Sequence, residues 1–267
     1  MNYSIKIVTY NIAGLHPTYS FNNILTVLKS IDNADIICLQ EVAGESITNT
    51  QAHALGKALK MRVIFGKAID RVYNGKIIVF GNAVLSRLKI KSHDIITLPP
   101  TIPDKNCVKY KNIIDGSKCN SNAENRIAIK CIVAPIPSDI EADILLLCTH
   151  MGLSTHYDKP ELNPAYELTN LLSTVDKRME IFIAGDFNSK VSQPVVDLFK
   201  KDGWKIPLVG ATFQNKQIDY IIDKTYTINR TDKIWHTKRK QYIIKSDASD
   251  HNPLVDELIY TTYPFTF

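Results

Sequence analysis

Short apolar runs that close on a polar residue recur along the chain. Residues 4–11 (SIKIVTYN) end in Asn11, 35–41 (DIICLQE) in Glu41, and 144–150 (ILLLCTH) in His150. Residues 181–184 (IFIA) form another, broken by Gly185 just ahead of Asp186, Phe187 and Asn188. Runs of this length and composition predict buried strands. Residues two apart in a strand point the same way, so a continuation of that last strand would aim Asp186 and Asn188 at one point. A plain Asp-Phe-Asn turn is the alternative, because both residues are ordinary in turns. Residues 218–222 carry Asp219, and 246–253 (SDASDHNP) carry Asp250 and His251.

Helical spacing is clear at Phe21, Ile24, Leu25, Leu28 and Ile31, and weaker over 46–60. It returns at Leu168, Leu171, Leu172 and Val175, and in a short stretch of Val195, Val196, Leu198 and Phe199 that Gly203 closes. Further strands are predicted over 61–65, 76–80, 83–85, 126–133, 143–149, 225–235, 241–244 and 254–260, with Gly81-Asn82 separating the second from the third. Residues 88–98 alternate like an edge strand. Residues 99–125 are polar, rich in Asn and Lys, and contain Pro99, Pro100 and Pro103. They are expected to form a long loop or insertion, either merely solvated or a basic substrate-binding arm. No linker or repeat interrupts the pattern, so a single α/β domain over 1–267, with strands outnumbering helices, is expected.

Composition adds little to that fold and more to its setting. A hydrophobic share of 45% and a charged share of 22% are those of an ordinary globular protein. The net charge of +5 is compatible with a polyanionic partner without requiring one. Five cysteines form no disulfide framework, and Cys38, Cys131 and Cys148 lie in strand-like runs where a buried thiol is expected. Cys107 and Cys119 lie in the polar loop, and no Cys/His cluster has zinc spacing. The first residues lack a signal-peptide pattern and no apolar run is long enough to span a bilayer. An intracellular protein, cytoplasmic or nuclear, is the expectation.

The polar strand ends are the candidate chemistry. Glu41, Asp186, Asp219 and Asp250, His150 and His251, and Asn11 and Asn188 supply carboxylates, imidazoles and amides without thiolates, a set suited to a hard cation: Mg²⁺ first, Mn²⁺ second. An Asp beside a His holds the imidazole in its charged form, and cation, imidazolium and amide around one point can stabilise a phosphoryl transition state.

In sequence order, TYNIAGL (9–15), CLQEV (38–42), GNAVLSR (81–87), NRIAI (125–129), CTHMGL (148–153), AGDFNS (184–189), IDYI (218–221) and SDHNP (249–253) together resemble the endonuclease/exonuclease/phosphatase superfamily, the DNase I-like fold. The resemblance implies a four-layer α/β sandwich, with two mixed β-sheets packed face to face and helices outside. It implies Glu41 as the main metal ligand, with Asn11 and Asp250 assisting. Asp186 would position or activate the attacking water, Asn188 would hold a phosphate oxygen, and His251 would contact the scissile phosphate, oriented by Asp219. His150 is a second phosphate-facing imidazole, which Asn82 could orient, and Arg126 is a candidate phosphate contact with an ion pair as its alternative. His16, His53, His93, His156 and His236 match no motif and read as surface residues. Arg87 reads equally as a solvent cap, and Trp204, Trp235 and the aromatic tail from Tyr260 as packing.

Substrate is less legible. Ala13, two residues after Asn11, and the His150 segment both depart from the abasic-site enzymes of the superfamily. The expectation is a magnesium-dependent phosphodiester hydrolase, acting as a monomer, with nucleic acid favoured as substrate. The alternative is a phosphatase or phosphodiesterase for a phospholipid head group or inositol phosphate, and a silent nucleic-acid-binding module comes third.

Overall fold

The computed structural model describes residues 2–101, 124–134, 143–152, 163–173, 175, 179–224 and 233–264. Much of the 99–125 segment therefore lies outside the described residues, although strand β6 (Lys89–Thr101) runs into it and β7 (Glu124–Ala134) leaves it. Two mixed sheets face one another. The first, in the order β11-β12-β1-β2-β5-β4, comprises β1 (Asn2–Asn11), β2 (Ile36–Ser46), β4 (Arg62–Tyr73), β5 (Lys76–Ser86), β11 (Lys233–Ile243) and β12 (Leu254–Pro264), with the short β3 (Asn49–Thr50) beside β2. The second runs β10-β9-β8-β7-β6, adding β8 (Ile144–His150), β9 (Glu180–Asp186) and β10 (Asp219–Lys224). As the alternating pattern of 88–98 implied, β6 is an edge strand.

Period-two alternation sorts the apolar residues into three layers. Ile5, Ile7, Cys38 and Val84 of the first sheet meet Ile129, Cys131, Leu146 and Phe182 of the second. On the far side of the first sheet, Val8, Tyr10 and Leu39 pack on α1 (Phe21–Ser30) and α2 (Gln51–Leu59). On the far side of the second, Leu145, Ile181 and Ile183 pack on α3 (Pro164–Ser173) and α4 (Pro194–Lys201). This is the four-layer sandwich. Ser20 and Thr50 cap the first two helices by accepting from Asn23 N and His53 N. Between the sheets, Arg239 of β11 pairs with Asp223 of β10 and Asp256 of β12, a charged clamp at the β10 side.

Several predicted elements differ. Residues 76–80 and 83–85 are one strand, because Gly81 does not end it. A Cβ there would lie 2.0 Å from Gly66 O, so glycine permits β4 and β5 to close around a bulge between Lys67 and Ile69. That bulge also disrupts alternation, which is why β4 extends well beyond the predicted 61–65. The helix expected over 46–60 is confined to Gln51–Leu59, since β2 continues to Ser46. Residues 241–243 join a single β11 from Lys233. Of the predicted strand over 225–235, residues 225–232 lie outside the described residues.

One topological fact positions the site. Among the described residues each sheet contains a single parallel pair, β1–β2 in the first and β8–β9 in the second, so four carboxyl ends emerge on one side. Crevices beyond such ends are where open α/β sheets place their chemistry.

Candidate active site

Asn11 ends β1 opposite Gln40, so Glu41 follows immediately beside it. His150 and Asp186 are register partners at the ends of β8 and β9, and Asp219 opens antiparallel β10 opposite Asp186. The 245–253 loop returns to begin β12, whose Leu254 pairs with Thr9, and this brings Ser249, Asp250 and His251 to the same end.

The groups converge on the Asp186 carboxylate, which is 1% exposed. Asn11 Nδ2 donates across the gap between sheets to Asp186 Oδ2 at 3.1 Å and also to Glu41 Oε1 at 3.1 Å. His150 Nε2 and His251 Nε2 stand 3.6 and 3.8 Å from Asp186 Oδ2. Asp186 Oδ1 accepts from Asn188 N at 2.8 Å. Asp186 and Asn188 are therefore brought together by an Asx-type turn, with Asn188 at φ +49°, rather than by strand continuation. The turn and the chemistry are the same feature.

Backbone strain gathers at these positions. Glu41 has φ +57°, Asn188 +49° and Ala13 +45°, values uncommon outside glycine. Glu41 lies within the β2–β5 register shift between Leu39 and Val42, a bulge that re-aims its side chain toward Asn11. Such strain persists where surrounding structure over-determines it, as at functional sites.

The two imidazoles are held differently. His251 Nδ1 lies 2.8 Å from Asp219 Oδ2, and its ring packs on Phe213 at 4.7 Å. Burial alone would lower its pKa, but the charge and hydrogen bond of Asp219, then Asp186 and Asp250, outweigh that and raise it to about 10. His150 goes the other way: burial first, then the positive charges of Arg126, His251 and Arg71, push it well below its ordinary value. Asn188 Nδ2 lies 3.0 Å from His150 Nε2 and donates to Met151 O at 2.8 Å. A neutral His150 accepts the first of these bonds at Nε2, which commits both Asn188 N–H groups. Asp186 itself is raised to about 7 by burial and the neighbouring Asp219 charge, against the opposing effects of His251, the Asn188 N–H and the Asn11 amide.

The donor set suits a hard divalent cation in one part of the site and not in another. Asp186, Asp219 and His251 offer ligand atoms within 4.8 Å of one another. His251, however, is held as an imidazolium and has no lone pair to give. Glu41 is only half-buried and Asp250 is exposed, so both supply carboxylate oxygens at the open face, as such a cation requires. Asn11 Oδ1 accepts from Ala13 N at 3.1 Å, so the amide turns its nitrogen toward the carboxylates. Ser249 opens the SDHNP segment, and the resemblance implies no role for it; its Oγ lies 2.8 Å from Asn11 O and 3.2 Å from Asp250 Oδ1, and accepts from His251 N. Thr212 Oγ1 accepts from the backbone of Ile218 and Asp219, which fixes the start of β10. No periodicity marks Thr212.

Asn82 donates to Ile127 O at 3.3 Å and lines, with Arg126, a recess beside His150. Arg87 is exposed at the opposite end, its N–H bonded to Asp35 O. Trp204 is buried against Phe199. Cys38, Cys131 and Cys148 are free and buried. His156 lies outside the described residues, as do the side chains of Trp235 and His236.

The sequence matches the Endonuclease/Exonuclease/phosphatase family over residues 8–251, and the chain belongs to that family. Membership makes a phosphoester the expected bond and hydrolysis the expected reaction. A family protein from Leptotrichia buccalis C-1013-b superposes with a TM-score of 0.66 at 16% identity, covering 95% of this chain and 99% of that one. The human nocturnin catalytic domain with bound sulfate gives 0.65 at 17%, covering 97% and 94%. A mannosyl-6-phosphatase from Bacteroides thetaiotaomicron VPI-5482 gives 0.64 at 17%, covering 95% and 99%. At these identities the likeness is one of fold. No curated protein matches the chain by sequence. Among the described residues, no helix is long and apolar enough to cross a membrane.

Proposed function

We propose that the protein is a divalent-metal-dependent phosphodiester hydrolase that acts inside the cell as a monomer, with nucleic acid as the favoured substrate. The observation that carries this reading is the convergence of Glu41, Asn11, both imidazoles and Asn188 on the buried carboxylate of Asp186. Asp186, poised near neutrality, takes the proton of the attacking water, and burial on this scale is how a carboxylate becomes a base at neutral pH. His251, charged and steered by Asp219, donates to a phosphate oxygen as negative charge gathers there. His150, neutral and fixed by Asn188, orients the phosphate on the other side. Asn11 holds Glu41 and Asp186 in register.

Glu41 and Asp250 would hold Mg²⁺, or Mn²⁺, at the open face, where the ion would neutralise phosphate charge. A wide cleft lined by Tyr19, Gln214, Lys245, Asp247 and Asp250 opens beside the reacting point and gives room for the rest of a diester. The mildly basic charge supports a polyanion.

Incubation with Mg²⁺ and plasmid, single-stranded DNA, RNA, sphingomyelin and inositol phosphates tests the reading. Cleavage of a nucleic acid is the expected result. Phosphate release from inositol phosphates with nucleic acids untouched would replace it with a phosphatase assignment.

A further inference from the structure

The parallel pairing of β1 with β2 ends at Asn11 and Gln40, one residue short of Glu41. On the other flank, the ladder between β2 and β5 is broken between Leu39 and Val42. Glu41 therefore sits where β2 has no regular neighbour on either side, and it holds its left-handed φ of +57° there. A residue with a Cβ keeps such a conformation only when its surroundings impose it. Asn11 Nδ2 steadies the Glu41 carboxylate, but that bond does not fix the backbone behind it.

A side chain from α2 supplies the missing support. Strand β3 pairs back on β2, with Thr50 opposite Gly44, and this sets Gln51, the first residue of α2, beside β2 just past Glu41. Gln51 Oε1 accepts from Ala43 N at 2.9 Å, and Gln51 Nε2 donates to Gly14 O at 2.8 Å. Gly14 N in turn donates to Glu41 O at 2.9 Å, and Ile12 N to Gln40 O at 3.1 Å. The amide bridges the gap that opens where β1 turns away from β2, and the residue it encloses is Glu41. The fit is close: a Cβ on Gly14 would stand 2.2 Å from Gln51 Oε1 and 2.4 Å from Glu41 O. The two partners are backbone groups of opposite kind, one donor and one acceptor. Such a bridge calls for a carboxamide, because an ionised acid or an amine supplies only half of it.

We infer that Gln51 is a positioning residue for the divalent cation, clamping the backbone around Glu41 so that this carboxylate is preset at the open face. This deepens the metal-dependent hydrolase reading and rests on it. Gln51 acts through the strand that carries Glu41. Groups that orient a metal ligand commonly govern affinity by about 10- to 100-fold.

The test measures binding, so it does not depend on turnover. Mn²⁺ is titrated into the full chain, free Mn²⁺ is read from its EPR signal, and thermal unfolding is recorded alongside. Glu41→Gln should weaken Mn²⁺ binding by about tenfold or more, which tests the metal assignment by itself. Gln51→Met, similar in length but without either bond, should also weaken it by about tenfold. Ser20→Ala removes the α1 cap and is the control for lost stability: it should lower the unfolding temperature and leave Mn²⁺ affinity unchanged. Native affinity in folded Gln51→Met, alongside weakening in Glu41→Gln, overturns the inference and leaves the hydrolase reading intact. A loss in Ser20→Ala as large as that in Gln51→Met also overturns it, because affinity would then follow stability alone. Native affinity in Glu41→Gln would remove the metal assignment and the inference with it. If Gln51→Met does not fold, Gln51→Asn, whose amide is one methylene too short to span both partners, is read by the same criteria.

Discussion

The two imidazole corners of the site are made of the same side chain and end in opposite charge states. At one, a carboxylate 2.8 Å from His251 Nδ1 outweighs burial and keeps the ring protonated. At the other, burial acts together with two guanidiniums, and His150 stays neutral with Asn188 donating to it. Burial disfavours the charged form of both rings; at His251 the bonded Asp219 carboxylate outweighs it, whereas at His150 burial is the largest effect and neighbouring positive charges add to it. The division gives the site a donor on one side of Asp186 and a fixed, uncharged support on the other.

The largest expected effect comes from removing the charged corner. His251→Gln should lower the hydrolysis rate by about 10³-fold, the scale of a proton-donating group, read from steady-state kinetics. Asp219→Asn keeps the ring but removes its charge partner. It should cost about 10²-fold and shift the His251 pKa down from about 10, seen in imidazole NMR titration. If His251 titrates near its ordinary value in both chains, the contrast between the corners is wrong.

Stability should respond to pH in opposite directions at the two rings. The folded pKa of His251 is raised, so its contribution is fully present below the unfolded value near 6.5 and is lost as pH rises through about 10. The folded pKa of His150 is lowered, so its contribution is present above about 6.5 and is lost as pH falls through its folded value. Denaturant titrations should show the acid-side loss diminish in His150→Gln and the alkaline loss diminish in His251→Gln. The smallest effect is at the link between corners: Ser249→Ala should destabilise by about 1 kcal/mol through its hydrogen bond to Asn11 O, with a change in urea midpoint and an unchanged slope.

The elements closing on Asn11, Glu41, His150 and Asp186 were legible because an apolar run that stops on a polar residue is a local signal. How those ends meet was not, since it depends on two parallel pairings between distant segments. The left-handed turn at Glu41 arises from a register shift between β2 and β5, which no spacing within residues 35–41 reveals. The bulge between Lys67 and Ile69 interrupts alternation, so the apolar pattern of β4 ends at Phe65 although the strand continues to Tyr73. The Asn74-Gly75 pair could have exposed the hairpin, because that dipeptide between two apolar runs is a strong turn signal. Of the two readings of residues 186–188, strand continuation and an Asp-Phe-Asn turn, the turn is the one formed: the Asp186 side chain folds the backbone back on itself to bring the amide in.

The most direct measurement is the initial rate of Mg²⁺-dependent bis(p-nitrophenyl) phosphate hydrolysis by the native chain and by Asp186→Asn, each before and after chelation. The expected result is hydrolysis by the native chain that chelation stops and added Mg²⁺ restores, with the variant folded and slower by about 10³-fold or more. A native chain that is inactive with Mg²⁺ and Mn²⁺, or a variant as fast as the native chain, would contradict the assignment of Asp186 as the centre of the chemistry.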